Sequence, residues 1–181
     1  MLKGKSISLR VAEMEDADTL GKWFNDPEFS GDFQHFPYQT PRAHLEKRIV
    51  DHSQYGTEWV DFIASNSEGD DVGWIAHYTA APNFGWVEIG VATLPSHRNK
   101  GYASEAISIL TDYLFLSRDL NRVQAVADKE NAASLRVFEK SGFASEGVLR
   151  KSLWNREGRW GDGVMLSILR EEWGQAKVLV R

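Results

Sequence analysis

The chain contains no cysteine, which excludes a disulfide framework, a thiolate zinc site and a cysteine nucleophile together. It also has no apolar run near the roughly eighteen residues that a membrane helix requires. The opening M-L-K-G-K-S-I-S-L-R leads into strand-like alternation without the apolar stretch of a signal peptide, so a cytoplasmic protein with no membrane partner is expected. Positive charge is in deficit, with 21 Lys and Arg against 26 Asp and Glu. A net charge of −5 disfavours a general nucleic-acid binder and suits a cationic or amine-bearing partner. The five histidines, at 35, 44, 52, 77 and 97, show no H-E-x-x-H or similar spacing, so no metal is expected. There is no G-x-S-x-G, and a serine nucleophile is unsupported.

What is present is a globular chain, 42% hydrophobic and long enough at 181 residues for one core. It has no internal repeats, low-complexity segments or linkers, so residues 1–181 are expected to form a single domain. Alternation predicts strands over 6–11, 59–65, 72–79, 85–93, 123–127, 144–153 and 161–169. Helical spacing predicts a first helix with the apolar stripe Ala17, Leu20, Trp23 and Phe24, stopped at Asp26-Pro27. A second starts at Thr40-Pro41 and runs through Leu45, Ile49 and Val50. A third carries Ala103, Ala106, Ile107, Leu110, Tyr113 and Leu114, and a fourth spans 131–140. Residues 27–41, rich in aromatics with no clean period, read as a loop able to pack down or to wall a pocket.

Between the strand at 85–93 and the third helix lies a basic loop with Arg98, Lys100 and Gly101 just where the helical pattern begins. The N–H groups of a first helical turn have no intrahelical partner and carry partial positive charge, so the loop can hold an anion. Glycine lets the backbone approach a phosphate closely, and Ala103 keeps the next turn slim. The spacing fits neither G-x-x-x-x-G-K-[ST] nor G-x-G-x-x-G. A basic turn that merely caps a helix would look the same.

Arg98-x-x-Gly101-x-Ala103 resembles the [QR]-x-x-G-x-[GA] pyrophosphate loop of the GCN5-related N-acetyltransferases, and D-K-E-N-A-A-S-L-R-V-F-E-K-S-G-F resembles that family's second signature, N-x-x-[SA]-x-x-[LVF]-[YF]-x-[KR]-x-G-F. The opening L-R-V-A-E-M-E-D-A-D-T-L-G-K-W-F-N-D-P-E-F, the strand V-E-I-G-V and the ending S-I-L-R-E-E-W are similar to the branch typified by the ribosomal-protein N-terminal acetyltransferases. The resemblance implies an α/β fold: a mixed central sheet with two splayed parallel strands, flanked by about four helices. It implies acetyl-CoA as cofactor, its pantetheine arm on Val91, Ala92 and Thr93 and its pyrophosphate on Arg98, Asn99, Lys100, Gly101, Tyr102, Ala103 and Ser104. Asn131, Phe138 and Lys140 of the second signature fall on the cofactor side by the same likeness. Ser134 matches the position that protonates the departing CoA thiolate, and Glu88 the glutamate that accepts the amine proton. Both have plainer readings. Asn131 is a natural N-cap with Ser134 in its first turn, and Glu88 is equally an ordinary strand glutamate. Asp32, His35, Trp74 and His77 are candidates for the acceptor side or for packing.

The expected reaction is direct attack of a primary amine on acetyl-CoA in a ternary complex. By branch resemblance the acceptor is a protein or peptide N-terminus. The alternatives are a small amine (polyamine, aminoglycoside-like antibiotic or aminoacyl nucleotide) and a CoA-binding module without turnover. The reading leaves room for a homodimer.

Overall fold

The computed structural model describes residues 1–31, 33–35, 37–54, 57–79 and 85–178. The chain opens with β1 (Leu2–Lys3) and β2 (Ile7–Val11), then turns through α1 (Ala17–Phe24), α2 (Pro27–Ser30) and α3 (Arg42–Asp51). Strands β3 (Ser53–Gln54), β4 (Thr57–Asn66), β5 (Asp71–Thr79) and β6 (Trp86–Thr93) follow. After them come α4 (Tyr102–Ser117), β7 (Arg122–Asp128), α5 (Ala132–Lys140), β8 (Ala144–Trp154), β9 (Trp160–Leu169) and α6 (Arg170–Trp173).

Among the described residues nine strands join one sheet in the order β1-β2-β4-β5-β6-β7-β9-β8, with β3 beside the far part of β4. Of the strand pairs among these residues, β6 and β7 alone run parallel; α4 makes the crossover between them. Period two sorts the apolar side chains onto two faces. Val87, Ile89 and Val91 of β6, with Val123, Ala125 and Ala127 of β7, pack under Ile107, Leu110 and Leu114 of α4 and Phe138 of α5 in the larger core. The opposite face carries a smaller core in which Leu20 of α1 and Leu45 and Ile49 of α3 cover Ile63 of β4. A fully buried Leu or Ile contributes roughly 1.5–3 kcal/mol, so the larger cluster dominates the fold.

Four helices have eight residues or more; α2 and α6 are single turns. Helix α2 lies inside the segment expected to be loop. Asp26 accepts the Glu28 N–H at 2.9 Å and Pro27 takes the first helical position, a start signal readable in Asp-Pro itself. On α3 the expected stripe member Val50 is 61% exposed, while Leu45, Arg48 and Ile49 are buried. Positions i, i+3 and i+4 share a face and i+5 does not, so Arg48 takes the inward position.

Candidate active site

Strand β6 is paired with β5 from Tyr78↔Glu88 to Gly73↔Thr93. Its parallel pairing with β7 covers only Trp86↔Arg122, Val87↔Val123 and Glu88↔Gln124, while β7 stays paired with β9 as far as Asp128↔Gly163. The two parallel strands therefore fork after Glu88 and Gln124. Beyond that point the edge of β6 from Ile89 to Thr93 presents backbone donors and acceptors that β7 does not use. An extended chain bearing amides can satisfy them as an added strand would.

The loop at the open end of the fork carries Asn99 at φ 63° and Gly101 at φ 83°. No side chain caps α4, and nothing lies within 4 Å of where a Cβ on Gly101 would sit. The N–H groups of the first turn therefore have no side-chain cap among the described residues. Glu105, the acid of that turn, is directed elsewhere; its carboxylate accepts from the backbone N–H of Lys5 and, at 2.8 Å, of Ser6. This cradle fits the pyrophosphate of acetyl-CoA, and the free β6 edge fits the amides of its pantetheine arm. Lys100 is exposed in the loop. The Arg98 guanidinium is directed toward α2: Nη2 donates to the carbonyls of Glu28 (2.6 Å) and Phe29 (3.4 Å), and Nε to that of Thr93 (3.4 Å). A second arginine, Arg156 in the β8–β9 turn, donates through Nη2 to the carbonyls of Pro27 and of Gly31, the latter at 2.8 Å.

Asn131 caps α5, its Oδ1 accepting the Ser134 N–H at 3.0 Å. This is the cap expected on local grounds, and it leaves the Asn131 Nδ2 and the Ser134 hydroxyl without partners among the described residues. Ser134, Phe138 and Ser141 fall on one helical face at i, i+4 and i+7. Ser141 Oγ donates to the Val137 carbonyl at 2.9 Å and lies 3.3 Å from the Ser104 carbonyl, so this face is turned toward the first turn of α4. Phe138 is a correction to the cofactor-side expectation: it is 3% exposed and packs edge-on against Phe143 in the core. A ring so enclosed supports the cradle from beneath. Lys140 is exposed in the last turn of α5.

Glu88 stands at the closed end of the fork, on the face opposite α4. Tyr78 from β5 donates its hydroxyl to Glu88 Oε1, and Gln124 from β7 donates Nε2 to Oε2 at 3.0 Å. Burial first, and then the adjacent Glu88 carboxylate, push the Tyr78 phenol well above its ordinary value, so it remains a donor. Its ring stacks on Trp59 at 4.7 Å. Next along this face Asp61, 4% exposed, takes hydrogen bonds from Arg48 Nε (2.8 Å), Trp59 Nε1 (2.9 Å) and Trp74 Nε1 (2.6 Å). Arg48 also lies over the rings of Phe24 and Trp59.

Of the acceptor-side candidates, Trp74 shares the Glu88 face. His77 does not, because positions 74 and 77 differ in parity along β5. It is 1% exposed against Phe62 under α4, and burial lowers its pKa to about 4. The His35 ring lies tilted against that of Tyr38, 4.1 Å between centroids, in the segment after α2, and Asp32 lies outside the described residues. Tyr78, Gln124, Arg48 and Asp61 escaped the sequence reading. Parity placed Tyr78 beside Trp74, but only the register brings Gln124 opposite Glu88.

Residues 6–144 match the family model described as "Acetyltransferase (GNAT) domain". The uncharacterized N-acetyltransferase p20 of Bacillus licheniformis is 31% identical over 169 residues, 92% of this chain and 94% of p20. The spermidine N(1)-acetyltransferase of Escherichia coli is 26% identical over 86 residues, 48% of this chain and 46% of that protein. Among solved structures, the spermidine N-acetyltransferase of Vibrio cholerae in complex with CoA and spermine superposes with a TM-score of 0.82 at 21% identity, covering 93% of this chain and 98% of the other. The fork, the uncapped glycine-led helix and these relatives converge: the chain belongs to the GNAT acetyltransferase family and is an acetyl-CoA-dependent N-acetyltransferase.

Proposed function

We propose that the acceptor is a small polycationic amine of the polyamine class and that residues 1–181 act as one catalytic unit. The observation that carries this reading is the Glu88 carboxylate, held by Tyr78 and Gln124 where the fork closes. An alkyl ammonium with a pKa near 10.4 is neutral only about once in 2,500 at pH 7, whereas an α-amine with a pKa of about 8 is roughly a tenth neutral. A carboxylate fixed in place matters far more to the first. The net charge of −5 favours a cationic acceptor in the same sense. So do the names of the Escherichia coli and Vibrio cholerae relatives. The N-terminal α-amine rests on resemblance to the ribosomal-protein branch alone, whereas two of the relatives named above are spermidine acetyltransferases.

In this reading acetyl-CoA, when bound, supplies the acetyl group as an activated thioester. The backbone of Val91, Ala92 and Thr93 would hold the pantetheine arm, and the N–H groups of residues 101–104, with Lys100, would hold the pyrophosphate, while Arg98 ties this loop to α2. Lys140 adds charge on the same side, and Asn131 offers its free Nδ2. Glu88 would accept the ammonium proton on a carboxylate oxygen, and Ser134 Oγ would donate its proton to the departing sulfur and recover one from the nitrogen as the amide forms. Positioning of the two reactants supplies several kcal/mol of the remaining barrier, on the order of the gain from intramolecularity.

The test is CoA thiol release with acetyl-CoA and a panel of spermidine, spermine, putrescine, a peptide with a free N-terminus and a lysine peptide blocked at its N-terminus. Release with the polyamines and little with the peptides is expected. Turnover confined to the free peptide N-terminus would return the acceptor to the α-amine class.

A further inference from the structure

The Tyr78–Glu88–Gln124 row does not end at Gln124. The Gln124 amide is 8% exposed, and its Oε1 accepts Arg122 Nε at 2.9 Å. That bond decides which way the amide faces: with oxygen toward Arg122, only Nε2 can point at Glu88. Arg122 is itself held, since Nη1 and Nη2 grip the Glu146 carboxylate at 2.5 and 2.6 Å. Ser167 Oγ donates to the same carboxylate at 2.6 Å. Arg122 first, and Ser167 with it, hold the Glu146 carboxyl down at about 2, so it remains a fixed anion across the working pH range.

The direction of the chain is therefore set from β8 inward, through Arg122 to Gln124 and Glu88, and it stops at the last paired register before the fork. Each carboxylate oxygen offers about two acceptor sites. Tyr78 takes one on Oε1 and Gln124 one on Oε2, which leaves one on each for a donor arriving in the fork.

We propose that Gln124, its amide oriented by Arg122, is a positioning residue for acetyl transfer that holds the Glu88 carboxylate against the acceptor amine. This rests on the reading of Glu88 as the base. The proton passes from the ammonium nitrogen to a Glu88 oxygen; the N–H bond breaks, an O–H bond forms, and the nitrogen keeps the electron pair for attack. Hydrogen bonds to a carboxylate favour its charged form. The titratable groups on this face among the described residues include Tyr78 from β5, Arg122 from β7, Glu146 from β8 and the Arg48–Asp61 pair from α3 and β4, with Asp128 of β7 and Arg10 of β2, paired to Asp16 and Asp71, farther along it.

The experiment measures kcat/KM against pH for the full chain, with spermidine as acceptor or the best amine of the panel if spermidine is refused. The proteins are wild type, Gln124→Leu, Gln124→Glu, Glu88→Gln and the double variant Glu88→Gln/Gln124→Leu, with the acetyl-CoA Kd measured alongside. Gln124→Leu should lower kcat/KM about tenfold, the size of one lost hydrogen bond to a charged group, and move the acid limb to higher pH. Gln124→Glu, which keeps the shape and sets a second carboxylate beside the first, should move that limb further as the pair shares a proton. In the Glu88→Gln background Gln124→Leu should add nothing, and the acetyl-CoA Kd should hold throughout. A wild-type profile in Gln124→Leu, or the same loss with and without Glu88, overturns the proposal. Should Gln124→Leu fail to fold, the isosteric Gln124→Glu decides by its acid limb alone. A Glu88→Gln enzyme with wild-type rate and profile sinks the base reading itself, an outcome visible before any Gln124 variant is compared.

Discussion

Arg98, in the loop that leads into α4, donates from Nη2 to the carbonyl oxygen of Glu28 in α2 at 2.6 Å. The loop before α4 and helix α2 are thereby tied through one side chain. Arg156 holds the same turn of α2 from the β8–β9 side. The two arginines should therefore separate kinetically. Arg156→Ala should raise the acceptor KM several-fold with the acetyl-CoA Kd unchanged, whereas Arg98→Ala should raise both. Calorimetry with acetyl-CoA and steady-state kinetics on the two variants give the comparison; an Arg98→Ala enzyme altered in neither constant removes Arg98 from both roles.

Gly101 has φ 83° and open space where a Cβ would point. A side chain there meets no protein atom, but the left-handed backbone strains an ordinary residue by about 1–2 kcal/mol, and a β-branched one more. Asparagine tolerates this conformation. Gly101→Asn should thus melt within a few degrees of wild type while weakening acetyl-CoA at least about tenfold, because its side chain fills the cradle. Unchanged affinity in a folded Gly101→Asn protein would place the pyrophosphate elsewhere.

Ser134 and Asn131 are distinguished by what each does locally. Asn131→Ala removes the cap of α5 and should cost about 1 kcal/mol of stability. Ser134 makes its local bond through the backbone alone, so Ser134→Ala should leave stability and acetyl-CoA affinity intact and lower kcat. Wild-type kcat in Ser134→Ala would strike its hydroxyl from the chemistry.

His77 should govern acid stability rather than catalysis. Burial lowers its pKa from the ordinary 6.5 to about 4, and its Nδ1 has no hydrogen-bond partner among the described residues. Between those two values the unfolded chain binds a proton that the folded chain refuses, so stability falls as pH drops from 6.5 toward 4, by up to about 3 kcal/mol. Urea titrations at pH 7.5 and 4.5 should show this loss in wild type and a smaller one in His77→Leu, with kinetic constants at neutral pH unaltered. Equal acid sensitivity in the two proteins would assign the effect to other groups.

The sequence by itself determined everything that depends on near neighbours along the chain. Period two marks β5 and β6, the i, i+3, i+4 spacing marks α4, and Gly101 ahead of Tyr102 marks a helix start open to an anion, because propensity, caps and turns are local properties. The face of His77 was also legible, since its parity against Trp74 is visible without a structure. Tertiary structure alone decided where β6 and β7 part. Strand patterning says which face a residue takes, but not at which residue two strands lose each other. The guanidinium of Arg98 could not be assigned to α2 from sequence, because its partners are main-chain carbonyls 70 and 69 positions away and a carbonyl leaves no mark in residue identity. The same holds for Tyr78, Glu88 and Gln124, which lie 10 and 36 positions apart and meet only through the register of three strands.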